Sequence, residues 1–367
     1  MVDKTKNIVL SLVFLVIIFG MFFINICKEQ EDISLAERRK LAKFPEITLN
    51  SILKGNFSED FENYTMDQFF YREAFRRLKA NVEMKLLNKK DFNNIYEYNN
   101  TLIKQEYPLN EKSVLNIAKK INQINEKYFD KTNNMYFSIV PDKNYYTDEN
   151  KYLKLDYNKL EELMIKNLNT MQYIDIFDCL DLSNYYYTDT HWKQEDLLGV
   201  ANKIATEMKF NEYLKNNFQT IELTTFKGVY AGQFPLENKN NKDTIQILTN
   251  EEIEKAKVYN YDTKKESKVY DLNKLTANDK YDIYLSGASS ILTIENSNSK
   301  AEKELIIFRD SFGSSLIPLF IEAYQKITVV DIRYINLNLL GEYIDFKNKD
   351  ILFLYSTSII NNSESIK

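Results

Sequence analysis

The longest hydrophobic run of the chain lies close to its N-terminus. Residues 8–27 read IVLSLVFLVIIFGMFFINIC and carry no charged side chain. A helix needs about 20 apolar residues to cross a bilayer, so the run predicts a transmembrane anchor. Lys4 and Lys6 precede it, and the net acidic sequence KEQED follows it. The positive-inside rule therefore predicts a single-pass protein of the cell membrane, with residues 1–7 in the cytoplasm and the rest outside.

A cleaved signal peptide is the alternative interpretation of this run. Signal peptides have a shorter apolar core and end in small residues of the A-x-A type. Here the run is long and ends in INICKEQ. The residues before Cys27 are bulky, which also disfavours a lipoprotein. We therefore expect an uncleaved anchor.

After the anchor, apolar positions follow two different periods. Helical spacing predicts a linker or arm over 28–90, and the remaining chain, 91–367, alternates between short apolar stretches and amphipathic segments. Strands are predicted at 135–143, 172–177, 304–312, 326–334 and 350–358. Helices are predicted at 110–128, 157–170, 196–208, 316–324 and 334–344. Such alternation is typical of an α/β fold, a mostly parallel sheet with helices on both faces. A β-rich segment at 219–300 is predicted as an insertion.

Composition narrows the classes of function. The net charge is −5, and the soluble part has no block rich in Lys or Arg, so a nucleic-acid partner is not expected. There are two cysteines and one histidine. No disulfide framework and no zinc site can be read from so few ligands, and we predict neither a metal nor a cofactor.

Polar and reactive side chains follow several predicted strands. Lys143 ends one strand, Asp310 and Ser311 end another, and Ser356 and Ser358 end the last. Sites in open parallel sheets form beyond the carboxyl ends of the strands. These ends are therefore expected to meet in one site.

A serine at a strand-to-helix turn is well placed to act as a nucleophile. The turn exposes its hydroxyl, and the helix N-terminus offers N–H groups to an oxyanion. Serine needs a base, and His191 is the only histidine of the chain. Asp189, two residues earlier, is close enough to orient the imidazole. Asp189, His191 and Ser311 are therefore the candidate triad.

Simpler interpretations of the same residues stay open at this point. A lone histidine is often a hydrogen-bonded surface or core residue. Ser311 could serve only as the cap of the following helix.

The sequence around the histidine resembles the signature of a known family. YTDTHW (187–192) resembles the motif of the DHHW family of bacterial cell-envelope proteins, which is similar to alginate O-acetyltransferases and, through them, to SGNH hydrolases. IVPDKNYY and IIFRDSFGSSLIPLF resemble the lysine-containing strand end and the nucleophile segment of that family. The resemblance covers most of residues 34–358, except for 236–300. It implies a flavodoxin-like SGNH fold with a permuted order, in which the aspartate and histidine precede the serine.

The resemblance implies the same triad, Asp189 as orienter, His191 as base and Ser311 as nucleophile. The sequence departs from the family motif in two places. Thr190 occupies the second position, where the motif has histidine, and Lys193 follows the tryptophan where a small capping residue is usual. Neither change removes a member of the triad.

Further site residues are predicted around the triad. The Ser311 N–H is the expected first donor to an oxyanion, and Gly228 or Gly232 of the loop KGVYAGQF could supply the second, although glycine there could equally serve a turn. The other candidates for oxyanion or substrate contacts are Lys143, Tyr230, Arg309 and Trp192.

The expected activity is transfer of an acyl group, most simply acetyl, to an envelope polysaccharide. The resemblance implies an extracytoplasmic O-acetyltransferase whose acyl donor is supplied by a multi-spanning membrane acyltransferase. An acetyl esterase with the same triad is one alternative, since it differs only in using water as acceptor. A non-catalytic polysaccharide-binding or assembly protein is the other, but an intact triad argues against it.

Overall fold

The computed structural model describes residues 2–236, 242–297, 299 and 302–366. The chain divides into two compact units, Met1–Asn93 with Ala231–Glu237, and Asn94–Tyr230 with Asn238–Lys367.

The first unit begins with a long apolar helix, α1 (Val2–Cys27), of 26 residues. At about 1.5 Å per residue it extends about 39 Å, more than the hydrocarbon core of about 30 Å. The helix is long and apolar enough to cross a membrane, and its apolar segment has no part buried by the rest of the protein. The predicted run 8–27 lies entirely within it.

The arm after α1 is made of short elements. These are β1 (Ile33–Ser34), β2 (Arg39–Lys40), α2 (Leu49–Leu53), α3 (Asn56–Asp67), α4 (Arg72–Asn81) and a π-helical turn, Val82–Leu86. The helical periodicity of the sequence is interrupted at Tyr71, whose φ of 57° is left-handed. The Arg39 guanidinium donates to both carboxylate oxygens of Asp67, at 2.7 and 2.5 Å, and so fastens β2 to the end of α3.

The second unit contains the remaining strands. They are β3 (Ile95–Tyr98), β4 (Thr101–Lys104), β5 (Asn134–Val140), β6 (Gln172–Tyr173), β7 (Gln219–Phe226), β8 (Asp243–Thr249), β9 (Lys257–Asn260), β10 (Lys265–Ser267), β11 (Ile291–Glu295), β12 (Glu304–Arg309), β13 (Lys326–Val330) and β14 (Asp350–Ser356). Its helices are α5 (Glu111–Tyr128), α6 (Tyr157–Asn167), α7 (Leu198–Glu207), α9 (Glu251–Lys255), α10 (Gly313–Leu316), α11 (Leu340–Tyr343) and α12 (Thr357–Asn361), and α8 (Val229–Gln233) crosses into the first unit.

Short 3-10 helices connect many of these elements. They lie at Lys143–Tyr146, Phe177–Cys179, Leu182–Asn184, Gln194–Asp196, Asn211–Tyr213, Leu272–Thr276, Lys280–Ile283, Ile317–Ala323, Leu337–Leu339 and Ser363–Ser365.

The main sheet has the order β10-β9-β11-β13-β12-β14-β5-β6 among the described residues. The pairs from β13 to β6 are parallel, and β9, β10 and β11 are antiparallel. The predicted α/β fold with a mostly parallel sheet is confirmed. Part of the segment 219–300 extends this sheet by three strands, while β7 and β8 form a separate hairpin.

The apolar strands of the sheet are buried on both faces. On β12, Leu305 and Ile307 point into one core, and Ile306 and Phe308 point into the other. This alternation follows from the two-residue period of a strand. Helix α7 packs into the first core and α5 into the second, so helices cover both faces.

Two predicted elements differ in the structure. Of the strand predicted at 172–177, only Gln172 and Tyr173 pair with β5, and a 3-10 turn follows. The helix predicted at 316–324 is a buried 3-10 helix over Ile317–Ala323, preceded by the short α10. Pro318 lies at its start and has no N–H to donate.

Candidate active site

The three predicted triad side chains are linked by hydrogen bonds. Asp189 Oδ1 lies 2.6 Å from His191 Nδ1, and His191 Nε2 lies 2.8 Å from Ser311 Oγ. Asp189 and His191 are buried. A carboxylate can only accept, so Nδ1 carries the hydrogen and Nε2 is left to accept the Ser311 proton. The arrangement is that of a nucleophile, a base and an orienting acid.

Both oxygens of the Asp189 carboxylate are occupied. Oδ1 also accepts the His191 backbone N–H at 3.2 Å, and Oδ2 accepts the Val229 N–H at 3.0 Å. Burial by itself raises the pKa of this carboxyl, but the hydrogen bonds and the charge interaction with His191 hold the pKa well below its usual range. Asp189 therefore stays ionised and keeps the imidazole in one tautomer.

Gly228 lies directly behind this carboxylate and does not serve as an oxyanion donor. Its N–H donates to Thr188 Oγ1 at 2.7 Å. A Cβ at this position would lie 2.3 Å from the Cα and Cβ of Asp189. Glycine is needed here because the loop backbone approaches Asp189 closely enough for Val229 to reach it. The predicted oxyanion role of Gly228 is wrong for this reason.

Replacing Gly228 by alanine is expected to displace Asp189 and to lower the acylation rate of Ser311 by about tenfold or more. An added methyl cannot occupy space already filled by backbone-linked atoms, and overpacking of this kind costs about 1–3 kcal/mol. The rate can be followed with a chromogenic acetyl ester. Gly199→Ala is the matched control, because a Cβ there would lie 3.8 Å from the Cys179 carbonyl oxygen, an ordinary contact. Equal rates for both variants would contradict this role of Gly228.

The loop that carries Asp189 and His191 is fastened by a second carboxylate. Asp243, at the start of β8, accepts the Tyr187 N–H at 2.6 Å and both the N–H and the hydroxyl of Thr188 at 2.7 and 2.5 Å. Trp192 is fully buried, and its indole N–H points to the Phe312 carbonyl at 3.0 Å and to Ser315 Oγ at 2.9 Å. The histidine loop is thereby tied to the serine segment.

The turn after β12 holds the serine in place through Asp310. One oxygen of this carboxylate accepts the Phe312 N–H at 3.0 Å, and the other accepts the Ser356 N–H from the end of β14 at 2.7 Å. Among the hydrogen bonds of the described residues, none uses the Ser311 N–H. That N–H is therefore free to donate to an oxyanion formed on a group attached to Ser311.

A small polar cavity lies beside the triad. Its lining residues are Lys104, Glu106, Asp142, Lys143, Thr190, Tyr230, Phe312, Ser356 and Ser358. Tyr230 donates its hydroxyl to Thr190 Oγ1 at 2.9 Å, and Ser358 donates to Glu106 at 3.0 Å. Burial raises the pKa of Asp142 to about 6. The strand ends predicted to meet do so here.

Lys143 forms part of the cavity wall rather than an open cationic site. Its ammonium nitrogen is buried and donates to the carbonyls of Leu102 and Tyr186 at 3.0 and 2.5 Å. It lies 5.3 Å from the centre of the Tyr230 ring. Burial lowers the pKa of Lys143 to about 7, although Asp243 and Asp189 favour its charged form.

Lys143→Met is expected to flatten the pH dependence of stability between about pH 7 and pH 10.5. The folded pKa is about 7 and the unfolded value 10.5, so the unfolded chain binds more protons in this window. Wild-type stability should therefore rise with pH across it. Denaturant unfolding followed by the fluorescence of the single tryptophan measures this slope. Lys104→Met, a half-exposed lysine of the same cavity, should keep the wild-type slope, and an unchanged slope in Lys143→Met would contradict the assignment.

Gly232 and Arg309 have other roles than those predicted. Gly232 belongs to the first unit, where a Cβ would lie 1.6 Å from the Ala36 carbonyl oxygen, so it permits close backbone packing there. Arg309 is 1% exposed and faces Asp331 at 3.6 Å, so it cannot contact substrate. Trp192 is equally inaccessible. A substrate role for these last two is wrong because both are enclosed by the core.

Several residues that shape the site were not predicted. Val229, Asp243 and Tyr281 contact the Tyr187–His191 segment from sequence positions 40 or more residues away. Tyr281 and Phe312 both pack against the His191 ring, with ring centres 3.7 and 5.0 Å away. Asp310 was expected at this site from its place at the end of its strand, whereas Val229, Asp243 and Tyr281 give no local signal. Among the described residues, no group of three or more His, Cys, Asp or Glu is placed to hold a metal ion.

Comparisons with solved structures show a similar fold in several bacterial proteins. A DHHW family protein from Eubacterium siraeum is 20% identical, covers 75% of this chain and 95% of its own, and superposes with a TM-score of 0.61. PatB1 from Bacillus cereus is 15% identical over 72% of this chain and 96% of its own, with a TM-score of 0.59. A second PatB1 structure, with a sulfonyl adduct, is 14% identical over 72% and 97% of the two chains, with a TM-score of 0.57.

The O-acetyltransferase domain of Pseudomonas putida AlgJ also matches, at 12% identity over 73% of this chain and 92% of its own, with a TM-score of 0.45. No curated protein matches the sequence. The family model described as DHHW protein matches residues 179–330, which include the whole triad. Residues 179–330 of this chain are therefore similar to the DHHW family, and its fold is similar to that of a DHHW family protein.

Proposed function

We propose that this protein is a membrane-anchored, extracytoplasmic O-acyltransferase that transfers acetyl groups to a polysaccharide of the cell envelope. The observation that carries the proposal is the hydrogen-bonded chain Asp189–His191–Ser311 at the carboxyl end of β12. These groups are the parts required for acyl transfer through a covalent serine ester. The resemblance of the sequence around these residues to a family of cell-envelope proteins supports an envelope role.

In the first half of the reaction, Ser311 Oγ attacks the carbonyl carbon of the acyl donor. Its proton passes to His191 Nε2, and Asp189 stabilises the imidazolium that forms. The negative charge that develops on the carbonyl oxygen is met by the Ser311 N–H. When the tetrahedral intermediate collapses, the bond between the acyl carbon and the leaving group of the donor breaks. The leaving group takes the proton held by His191, and Ser311 carries the acyl group.

In the second half, a sugar hydroxyl takes the place of the leaving group. His191 Nε2 accepts the proton of that hydroxyl, the sugar oxygen attacks the Ser311 ester, and the serine recovers its proton. Water in the same position would release acetate instead. The choice between transferase and esterase therefore depends on which acceptor reaches the ester first.

The proposed orientation follows from the charges around α1. Lys4 and Lys6 lie before its apolar part, and the positive-inside rule then leaves the catalytic unit outside the cytoplasm. Protease added to wall-free cells should digest the catalytic unit, and protection of it would refute this topology. A multi-spanning membrane acyltransferase is the proposed source of acyl groups on that side.

Intact mass measurement of the full chain in detergent tests the proposed reaction. Incubation with a chromogenic acetyl ester should add one acetyl group to Ser311, and envelope oligosaccharides should then remove it and become acetylated. Release of acetate without sugar acetylation would indicate an esterase. A folded protein that never acquires the acetyl group, and that a sulfonyl fluoride fails to label, would be a binding or assembly protein.

A further inference from the structure

A tyrosine outside the triad lies flat against the imidazole of His191. The ring centres of Tyr281 and His191 are 3.7 Å apart, and the two planes differ by 5°. Tyr281 is 3% exposed and belongs to the 3-10 turn Lys280–Ile283, within the β-rich part of the chain. The contact is thus a face-to-face stack in a buried setting.

The tyrosine ring is held from several sides. Its hydroxyl lies 2.7 Å from Ser315 Oγ, which also receives the indole N–H of Trp192 at 2.9 Å. Tyr284 packs on the ring at 5.0 Å and 62°. Ser315 can accept from both Trp192 and Tyr281, since a hydroxyl has two acceptor positions. The stack is therefore fixed by the same serine that ties the histidine loop to the nucleophile segment.

We propose that Tyr281 is a positioning residue, which holds the His191 ring in the plane that reaches Ser311 and stabilises the imidazolium through its π face. The role rests on the proposed acyl transfer, in which His191 becomes positively charged. A cation over an aromatic face is stabilised by the ring quadrupole, and more strongly when both are desolvated. Burial raises the pKa of the Tyr281 hydroxyl, so the ring remains a neutral phenol while His191 changes charge.

Three other groups contact the imidazole. Asp189 is bonded to Nδ1, Ser311 to Nε2, and the Phe312 ring packs against the imidazole with its centre 5.0 Å away. The Asp310 and Asp189 carboxylates act on Tyr281 through charge, and Lys143 interacts with Asp189 in the same way. A change seen on removing the Tyr281 ring can therefore be assigned to the stack.

Because the chain contains a single histidine, NMR of the full chain labelled only at histidine reports on His191 alone. We expect the wild-type imidazole protons to show the upfield ring-current shift of a stacked ring. In Tyr281→Leu, which keeps the site apolar, this upfield shift should be largely lost, because the stacked ring is removed. Tyr281→Phe keeps the π face and should keep the wild-type shift.

Kinetics give the second readout. Tyr281→Leu should lower kcat for a chromogenic acetyl ester by about tenfold with little change in KM, because the imidazolium forms only during the reaction. Phe226→Leu is the matched control, since Phe226 belongs to the same aromatic cluster and its ring packs on Tyr186. It should leave kcat and the imidazole shifts close to wild type.

Equal kcat values in Tyr281→Leu and in wild type would overturn the proposal, as would equal effects of Tyr281→Leu and Phe226→Leu. If Tyr281→Leu fails to fold, the wild-type ring-current shift still tests the stack, because its absence would mean that the rings are not stacked. The NMR measurement needs no acyl donor. A protein without acyl-transfer activity would therefore contradict the proposed function and still leave the effect of the stack on His191 measurable.

Discussion

Replacing His191 by alanine is expected to lower the rate of Ser311 acylation by about 10⁶-fold. The serine hydroxyl is a poor nucleophile until its proton is taken, and His191 Nε2, 2.8 Å away, is the group placed to take it. The chain has no second histidine to replace it near neutral pH. Ser311→Ala should be equally inactive, and the double variant should be no worse than either single one, because the two residues act as a unit.

The measurement is the burst of product released when Ser311 of the full chain is acylated by a chromogenic acetyl ester. Ser314→Ala is the control, since it removes a buried hydroxyl from the same short helix, α10, and leaves the nucleophile in place. It should acylate at close to the wild-type rate. Acylation of Ser311 at the wild-type rate in His191→Ala would show that the triad is not the catalytic unit.

Asp189→Asn is expected to lower the acylation rate by about 10⁴-fold. The carboxylate accepts hydrogens on both oxygens, from His191 Nδ1–H and from Val229 N–H. An asparagine has one acceptor oxygen and one amide nitrogen. If the nitrogen faces Val229, two donors oppose each other; if it faces His191, the imidazole is held in the tautomer whose Nε2 carries hydrogen and cannot accept from Ser311.

Nitrogen-15 shifts of the single histidine distinguish these outcomes, because they report which ring nitrogen is protonated. The wild type should show a protonated Nδ1, and Asp189→Asn should lose that preference. Asp196→Asn changes a neighbouring carboxylate whose nearest cationic partner is Lys193, at 3.7 Å, and should behave as wild type. Should Asp189→Asn match this control in rate and in tautomer, Asp189 would have no role in orienting the base.

Local sequence pattern was sufficient for the long apolar helix α1 and for the strands of the sheet centre. The strands β5, β12 and β14 are mostly apolar, since they lie between two helical layers, and the run 8–27 is long and apolar enough to cross a membrane. The shorter and less apolar elements were harder to place. In the segment 172–177, only Gln172 and Tyr173 pair with β5. The periodicity of apolar residues does not show where this strand pairing ends.

The triad candidates could be selected from the sequence because the chain offers only one histidine as a base. With one imidazole in the chain, a nucleophilic serine has one candidate base, and Asp189 is near enough in sequence to orient it. The serine itself follows an apolar strand and precedes a helix, a local pattern that needs no tertiary information. The structure places the three within hydrogen-bond distance, while their catalytic action remains a prediction.

The surroundings of the triad were decided only by tertiary structure. Gly228 and Val229 are neighbours in sequence, yet the Gly228 N–H donates to Thr188 and the Val229 N–H donates to Asp189. Tyr281 contacts His191 although it lies 90 positions further along the chain, and Arg309, charged and adjacent to the site in sequence, is enclosed by the core. Secondary-structure patterns record which face of an element is buried. They do not record which distant side chain or N–H group fills the space beside it, because that depends on how the folded elements pack.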